Sequence, residues 1–322
     1  MNNQGCKRMA SEDKITTLPD DILLTILSLL TFKEAVATSI LSRRWQYLWT
    51  SRPNLHIRYE DVVLKDDRDD VYFRQSGKVH GDYKDKCIQM VNQVLRGRKG
   101  RELQEFGIHY PLLKSSASHI DLWVAFAIAI GVSKLELNFS PYPCLIPLSL
   151  NKNYLIPLDL FNKAKEMDPY LVQLEHAFFI PTSSLNVQNC FKSLRELILK
   201  FVDLTDEHFE AILSNCTSLE CLHLHESNRL VNVKHTVPHM KLKCLEIFHC
   251  RNLQKVEVFA PNLVSFKYRG SKIHIFVKDA KQLFNLCISQ SIFVFSWKFS
   301  LLLLLDLVFA GKTTIQQAPL FF

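Results

Sequence analysis

The sequence holds nine cysteines but no Cys-x-x-Cys pair. They are scattered at Cys6, Cys87, Cys144, Cys190, Cys216, Cys221, Cys244, Cys250 and Cys287, and their number is odd. The first residues are polar and lack an apolar signal core. These absences argue against a secreted disulfide framework. They point to free thiols in a reducing compartment, cytoplasmic, nuclear or both. Asn138-Phe139-Ser140 and Asn215-Cys216-Thr217 are accordingly read as chance matches to the glycosylation pattern. No Lys/Arg block with interleaved aromatics accompanies the net charge of +7, so nucleic acid is not an expected partner. No Gly-x-Ser-x-Gly elbow is present, and no intrinsic catalytic site is expected. Asp306 to Thr313 reads Asp-x-x-x-x-Gly-Lys-Thr. It lacks the first glycine that a phosphate loop needs for its tight backbone cradle, so no nucleotide or other cofactor is expected. Lys298 and Asp306 interrupt the most apolar stretch, around Leu301 to Leu305, and no membrane span is expected.

What is abundant is apolar surface. Hydrophobic residues make up 48% of the 322 and charged residues 22%, enough for a large core in one or two domains. The stretch from Ile15 to Trp49 organises the rest. Pro19 suits a first helical turn, where its missing N–H costs nothing, and Asp20 and Asp21 complement the positive helix end. Ile22, Leu23, Ile26, Leu27, Leu29 and Leu30 follow. One stripe satisfies the chain's own core, so the surplus requires a second apolar partner. Thr31 and Glu34 have capping-box spacing and start a second helix. A third runs from about Ser42, with Trp45, Leu48 and Trp49 on one face.

Beyond this, Asp61 to Gly81 reads as an exposed connection. Tyr83 to Arg96 has helical spacing, ended by Gly97 and Gly100. From Leu103 an apolar-x-x-apolar-x-apolar pattern recurs. It is seen at Leu103/Phe106/Ile108, Val132/Leu135/Leu137, Leu194/Leu197/Leu199, Leu219/Leu222/Leu224, Leu242/Leu245/Ile247, Leu263/Phe266/Tyr268 and Leu283/Leu286/Ile288. Leu171/Leu174 is read as a degraded copy with His176 in third place. The later copies, starting at Leu194, Leu219, Leu242, Leu263 and Leu283, lie 25, 23, 21 and 20 residues apart. That is the leucine-rich-repeat range of roughly 20–29 residues. Returning helices are expected at Ile120 to Ile130 and Asp206 to Leu213, and turns in the later repeats.

Such units stack into a solenoid with a curved parallel sheet. The second and third apolar positions of each strand point into the core, and the residues beside them point out. Three outward columns follow: Glu196, Cys221, Cys244, Ser265, Asn285; then Ile198, His223, Glu246, Lys267, Cys287; then Lys200, His225, Phe248, Arg269, Ser289. Their mixed charge, histidine and aromatic character fits a recognition surface, and for any one residue it fits an ordinary solvated sheet equally well. Cys221, His223, His225, Cys244, His249 and Cys250 suggest zinc ligands on neighbouring strands. Close paired spacing is missing, and no metal is expected.

Leu18-Pro19-Asp20-Asp21, Ile26-Leu27-Ser28 and Thr38-Ser39-Ile40-Leu41-Ser42-Arg43-Arg44-Trp45 with Leu48-Trp49 resemble the F-box of plant F-box/leucine-rich-repeat proteins. One departure is Thr31-Phe32, where many members have Leu-Pro. Phe191-Lys192-Ser193-Leu194-Arg195-Glu196-Leu197 and Ala260-Pro261-Asn262-Leu263-Val264-Ser265-Phe266 resemble the same family. The resemblance implies an α/β chain: a three-helix F-box (13–57) followed by a leucine-rich-repeat solenoid (101–290). A polar disordered tail (1–12), a linker with a helix (58–100) and an atypical hydrophobic tail (291–322) complete it. Members usually continue with further repeats, so residues after about Ser291 are expected to come from a truncated or misread gene end. The implied function is non-catalytic: a substrate receptor of an SCF-type ubiquitin ligase. Leu18, Pro19, Ile22, Leu23, Ile26, Trp45 and Leu48 are expected to face a Skp-type adaptor, which is carried on a cullin. Glu196, Lys200, His223, His225, Glu246, Phe248, Lys267 and Arg269 are expected to face a target protein. The alternative is a repeat scaffold or ligand-binding protein outside any ligase.

Overall fold

The structure is a computed structural model, and it describes residues 15, 17–63, 77–98, 103–141, 153–161, 168–180, 190–235, 238 and 241–290. The expected tail 1–12, much of the 61–81 connection, the phosphate-loop-like run and the tail 291–322 lie outside the described residues. Two compact units meet between Arg52 and Pro53.

The first unit is helical, and local capping starts two of its helices. α1 spans Asp20–Ser28, α2 Phe32–Ala37 and α3 Arg43–Leu48. Pro19 is the residue just before α1, and its carbonyl accepts from the Leu23 N–H at 3.1 Å. Thr31 caps α2 reciprocally. Its N–H donates to Glu34 Oε2 at 2.8 Å, and its hydroxyl accepts from the Glu34 N–H at 3.3 Å. Ser42 Oγ accepts from the Trp45 N–H at 3.4 Å and starts α3. Leu23 and Leu27, at i and i+4, pack with Ala35, Trp45 and Leu48 in a closed core. Arg52 Nη2 donates to the Leu30 carbonyl at 2.8 Å, giving a partner to an acceptor just beyond α1.

The second unit is built on parallel strands. β1 (Asn54–Arg58), β2 (Glu105–His109), β3 (Lys134–Asn138), β5 (Glu196–Lys200), β7 (Cys221–His225), β9 (Cys244–Phe248), β11 (Ser265–Gly270) and β13 (Asn285–Gln290) form one sheet in that order. In β1 to β11 of this sheet the second and fourth residues turn inward, while in β13 Leu286 is buried and Ile288 is 37% exposed. Phe106 and Ile108, Leu135 and Leu137, Leu197 and Leu199, Leu222 and Leu224, and Leu245 and Ile247 are fully buried. No single repeat can bury such a pair. Stacking does so, and each burial contributes about 1.5–3 kcal/mol.

The early crossovers are helical. α4 (Tyr59–Val62) and α5 (Gly77–Arg98) join β1 to β2, and α6 (Ala117–Ile130) joins β2 to β3. α6 is apolar on nearly every side and ends at Gly131, whose φ of 76° is left-handed. Between β3 and β5 come β4 (Tyr154–Leu155), α7 (Asp168–Phe178) and α8 (Cys190–Ser193). β6 (Val202–Asp203) pairs with β4, and α9 (Asp206–Asn215) precedes β7. The later crossovers contain strands instead. β8 (Asn232–His235), β10 (Lys255–Phe259) and β12 (His274–Lys278) form a second parallel sheet. Turns were expected there. The alternation Lys255-Val256-Glu257-Val258 buries both valines and explains the strand.

Three further differences from the sequence reading stand out. Leu171/Leu174 lies in α7 and is no strand copy, because a three-residue apolar spacing is equally the spacing of a helix face. The sheet begins at β1, upstream of the repeat range that was expected to start at 101. The helix expected to stop at Gly97 runs from Gly77 to Arg98.

Candidate functional site

Two surfaces emerge, one on each unit. On the helical unit, Leu23, Trp45 and Leu48 belong to the closed core, at 0%, 3% and 6% exposure. This corrects their assignment to an adaptor surface: a side chain that completes its own core has no area left to offer. Leu18 is half-buried, while Pro19, Ile22 and Ile26 are exposed. Ile15, Pro19, Ile22, Ile26 and Leu29 follow one another at spacings of three or four residues, and all are exposed. Leu29 is 83% exposed, Ile40 86%, Leu41 62% and Tyr47 63%. These last four were not among the expected adaptor-facing residues, although Leu29 was counted in the apolar surplus. The excess apolar count in α1 announced such residues, but only the packing of α2 and α3 shows which stripe is spent.

On the repeat unit, the open sheet face carries the expected columns in register. Glu196, Cys221, Cys244, Ser265 and Asn285 are successive partners, as are Lys200, His225, Phe248, Arg269 and Ser289. Glu246 is a hub, only 9% exposed. Its carboxylate lies 2.9 Å from His225 Nε2, 3.5 Å from Lys267 Nζ and 3.8 Å from His223 Nδ1. Burial holds His225 below its ordinary pKa, against the pull of Glu246. Burial acts on His223 in the same direction, but Cys244 and Glu246 outweigh it and raise its pKa. The His225 ring stacks on Phe248 at 4.7 Å, and the Arg269 guanidinium lies over the same Phe248 ring at 5.8 Å. Glu196 pairs with Lys134 at 3.0 Å.

The register extends the face to β1, which the sequence reading left out, and to outward residues of β2 and β3 that its three columns did not include. His56 Nε2 lies 2.9 Å from Glu105 Oε2, and His109 Nε2 lies 3.2 Å from Glu136 Oε1. The two imidazoles meet edge to face at 5.9 Å. Gly107 makes room for this arrangement, since a Cβ there would fall 2.2 Å from His56 Nδ1. Beside them, Arg58, Tyr59, His109, Pro111, Asn138 and Ser140 line a cleft of about 430 Å³. The signal was present in the sequence: Asn54-Leu55-His56-Ile57-Arg58 has the alternation of Cys221-Leu222-His223-Leu224-His225.

Comparison with known proteins fits this two-part layout. Residues 15–57 match the family model described as F-box domain, and residues 94–308 match the one described as At1g61320/AtMIF1, LRR domain. The chain belongs to the F-box/leucine-rich-repeat family. It is 26% identical to the Arabidopsis thaliana F-box/LRR-repeat protein At3g26922, over 80% of this chain and 74% of that one. It is 30% identical to the F-box/FBD/LRR-repeat protein At2g04230, over 74% of this chain and 48% of the relative. It is 27% identical to F-box/LRR-repeat protein 25, over 82% and 88%. Two further Arabidopsis relatives match over 66% of this chain, and the matches span only 38% and 37% of their own length. In F-box/LRR terms, the helical unit is the F-box and the parallel sheets are the repeats. Among the described residues, no helix is long and apolar enough to cross a membrane.

Proposed function

We propose that this chain is the non-catalytic substrate receptor of an SCF-type ubiquitin ligase. In this reading the F-box docks on a Skp-type adaptor, which sits on a cullin scaffold. The repeat face holds a target protein, and ubiquitin transfer is accelerated by proximity, because the receptor raises the local concentration of target lysines. The observation that carries the reading is the exposed apolar set on a unit whose core is already closed. Ile22, Ile26, Leu29, Ile40 and Leu41 are exposed and lie outside that core. Apolar surface of this kind marks a protein-binding site. The six described cysteines are free, which suits a cytoplasmic or nuclear site of action.

Co-purification of the full chain with a plant Skp-type adaptor tests this. The wild type is expected to bind, and Ile22→Asp with Leu29→Asp is expected to weaken binding by about a hundredfold or more. Circular dichroism of that variant should remain that of the wild type. A wild type that fails to bind under conditions that load other F-box proteins would overturn the ligase reading and leave a repeat scaffold.

A further inference from the structure

Cys221 and Cys244 are register partners on β7 and β9, and His223 and Glu246 are the partners two residues further along. Residues two apart on a strand share a face. The four therefore form a two-by-two cell on the open sheet face, with two sulfurs at one end and an imidazole and a carboxylate at the other. The donor atoms of Cys221, His223 and Cys244 lie within 4.8 Å of one another. A tetrahedral zinc ion, with bonds of about 2.0–2.3 Å, holds its ligands roughly 3.3–3.8 Å apart. Small side-chain rotations close the set to that size.

We propose that Cys221, Cys244 and His223 bind one Zn²⁺ ion, with the fourth coordination position open on the sheet face. Two thiolates and an imidazole select zinc over the hard cations magnesium and calcium. Three protein ligands are the number an open zinc site uses, so the missing close-paired spacing that argued against a closed structural site does not apply. The Glu246 carboxylate, 3.8 Å from His223 Nδ1, is placed to orient the imidazole as an outer partner. Ser265 is in register with Cys244 on the next strand. Its buried hydroxyl has no hydrogen-bond partner among the described residues, and it is a donor available to a metal-bound thiolate.

Both thiols bind the ion as thiolates, so their protons pass to solvent on binding. The other residues of the sequence-level zinc set stay outside. Cys250 is buried with Sγ 3.7 Å from the Phe248 carbonyl, and His225 is engaged by Glu246 and Phe248.

The proposal is independent of the ligase reading and is tested on the reduced full chain alone. After chelation, Co²⁺ is titrated as a spectroscopic stand-in, and Zn²⁺ affinity is read by competition with a chromophoric chelator. One equivalent of Co²⁺ should give a thiolate-to-cobalt charge-transfer band and tetrahedral d–d absorption. Cys221→Ser with Cys244→Ser should abolish the band, and Cys250→Ser should leave it unchanged. His223→Gln, at a half-buried face position, removes a direct ligand and should weaken Zn²⁺ by more than the roughly 10–100-fold that an outer partner is worth, and alter the d–d bands. It serves as the decisive variant if the double serine variant misfolds. Absence of the band in the reduced wild type, or its survival in a folded double variant, or an unchanged affinity in His223→Gln, overturns the site.

Discussion

The two units solve opposite surface problems. The F-box closes a small core with five buried side chains, Leu23, Leu27, Ala35, Trp45 and Leu48, and leaves further large apolar side chains facing out. The repeats stack apolar pairs strand after strand and turn polar columns outward. There the carboxylates of Glu105, Glu136, Glu196 and Glu246 each have a basic partner on the same face. An exposed apolar set is sticky but carries little identity, which suits one common partner. A compensated polar face costs desolvation unless the partner's groups match, which suits discrimination. On the proposed reading, the difference between the units is a difference between affinity and specificity.

The sharpest way to break this comparison is to exchange the roles of two neighbours on α1. Leu27 is fully buried, and Ile26 beside it is 37% exposed. Leu27→Ala should destabilise the F-box by about 2–5 kcal/mol, the usual cost of such a core truncation. The repeats should keep their own transition, because their core is built from their own strands. Ile26→Ala should leave stability within about 0.5–1 kcal/mol and, on the proposed reading, act on adaptor binding alone. Chemical denaturation of both variants, followed by far-UV circular dichroism, checks this. Equal losses of stability would mean that the two faces of α1 are not distinct in the way the packing implies.

A smaller effect, confined to the repeats, depends on pH. His208 on α9 accepts the Thr205 N–H at Nδ1, at 3.2 Å, and its Nε2 lies 2.6 Å from the Ile156 carbonyl. Burial holds its pKa below the usual imidazole value, against the pull of the Ile156 carbonyl and Glu207. The folded protein therefore binds this proton less readily than the unfolded chain, whose histidine titrates near about 6.5. The stability contribution is full above about pH 6.5 and is lost as pH falls from there towards the depressed folded value. His208→Gln should shrink the loss of repeat stability between about pH 7.5 and about pH 5.5. Denaturation midpoints at the two pH values measure it. An unchanged difference would assign the acid sensitivity to other groups.

Legibility in the sequence divides along the same line as the two units. Local chemistry was readable: Thr31 with Glu34 and Ser42 start their helices because capping needs only residues three apart. Long-period order was readable too, since leucines 20–25 residues apart place Cys221 opposite Cys244 without any knowledge of side-chain packing. What could not be read was the division between two adjacent apolar stripes on one short helix. Ile22 and Ile26 differ from Leu23 and Leu27 only by about 100° of rotation, and α2 and α3 decide which pair they cover. Leu171 and Leu174 failed for a related reason, because their spacing serves helix and repeat strand alike. His56 was lost to the F-box range and Arg58 to the linker, although their strand pattern was intact. The metal expectation rested on spacing along the chain, whereas the cell of Cys221, His223, Cys244 and Glu246 exists only across two strands.

The smallest effect concerns the turns that let the polar face exist. The residue after each of β5, β7 and β9 is left-handed, with φ of 57° at Phe201, 55° at Glu226 and 56° at His249. Each donates its N–H to the next strand's end, and His249 reaches the Arg269 carbonyl at 2.6 Å. The bond recurs because the repeats recur, so the backbone is held there whatever the side chain. A side chain with a Cβ is disfavoured at such φ, and asparagine tolerates it best among non-glycine residues. His249 is exposed and touches Phe248 only edge to face at 6.4 Å. His249→Asn should therefore stabilise the repeats by roughly 0.5–1 kcal/mol, with the F-box transition unmoved. Denaturation of the full chain reads both at once. A destabilisation would show that the His249–Phe248 contact outweighs the backbone strain.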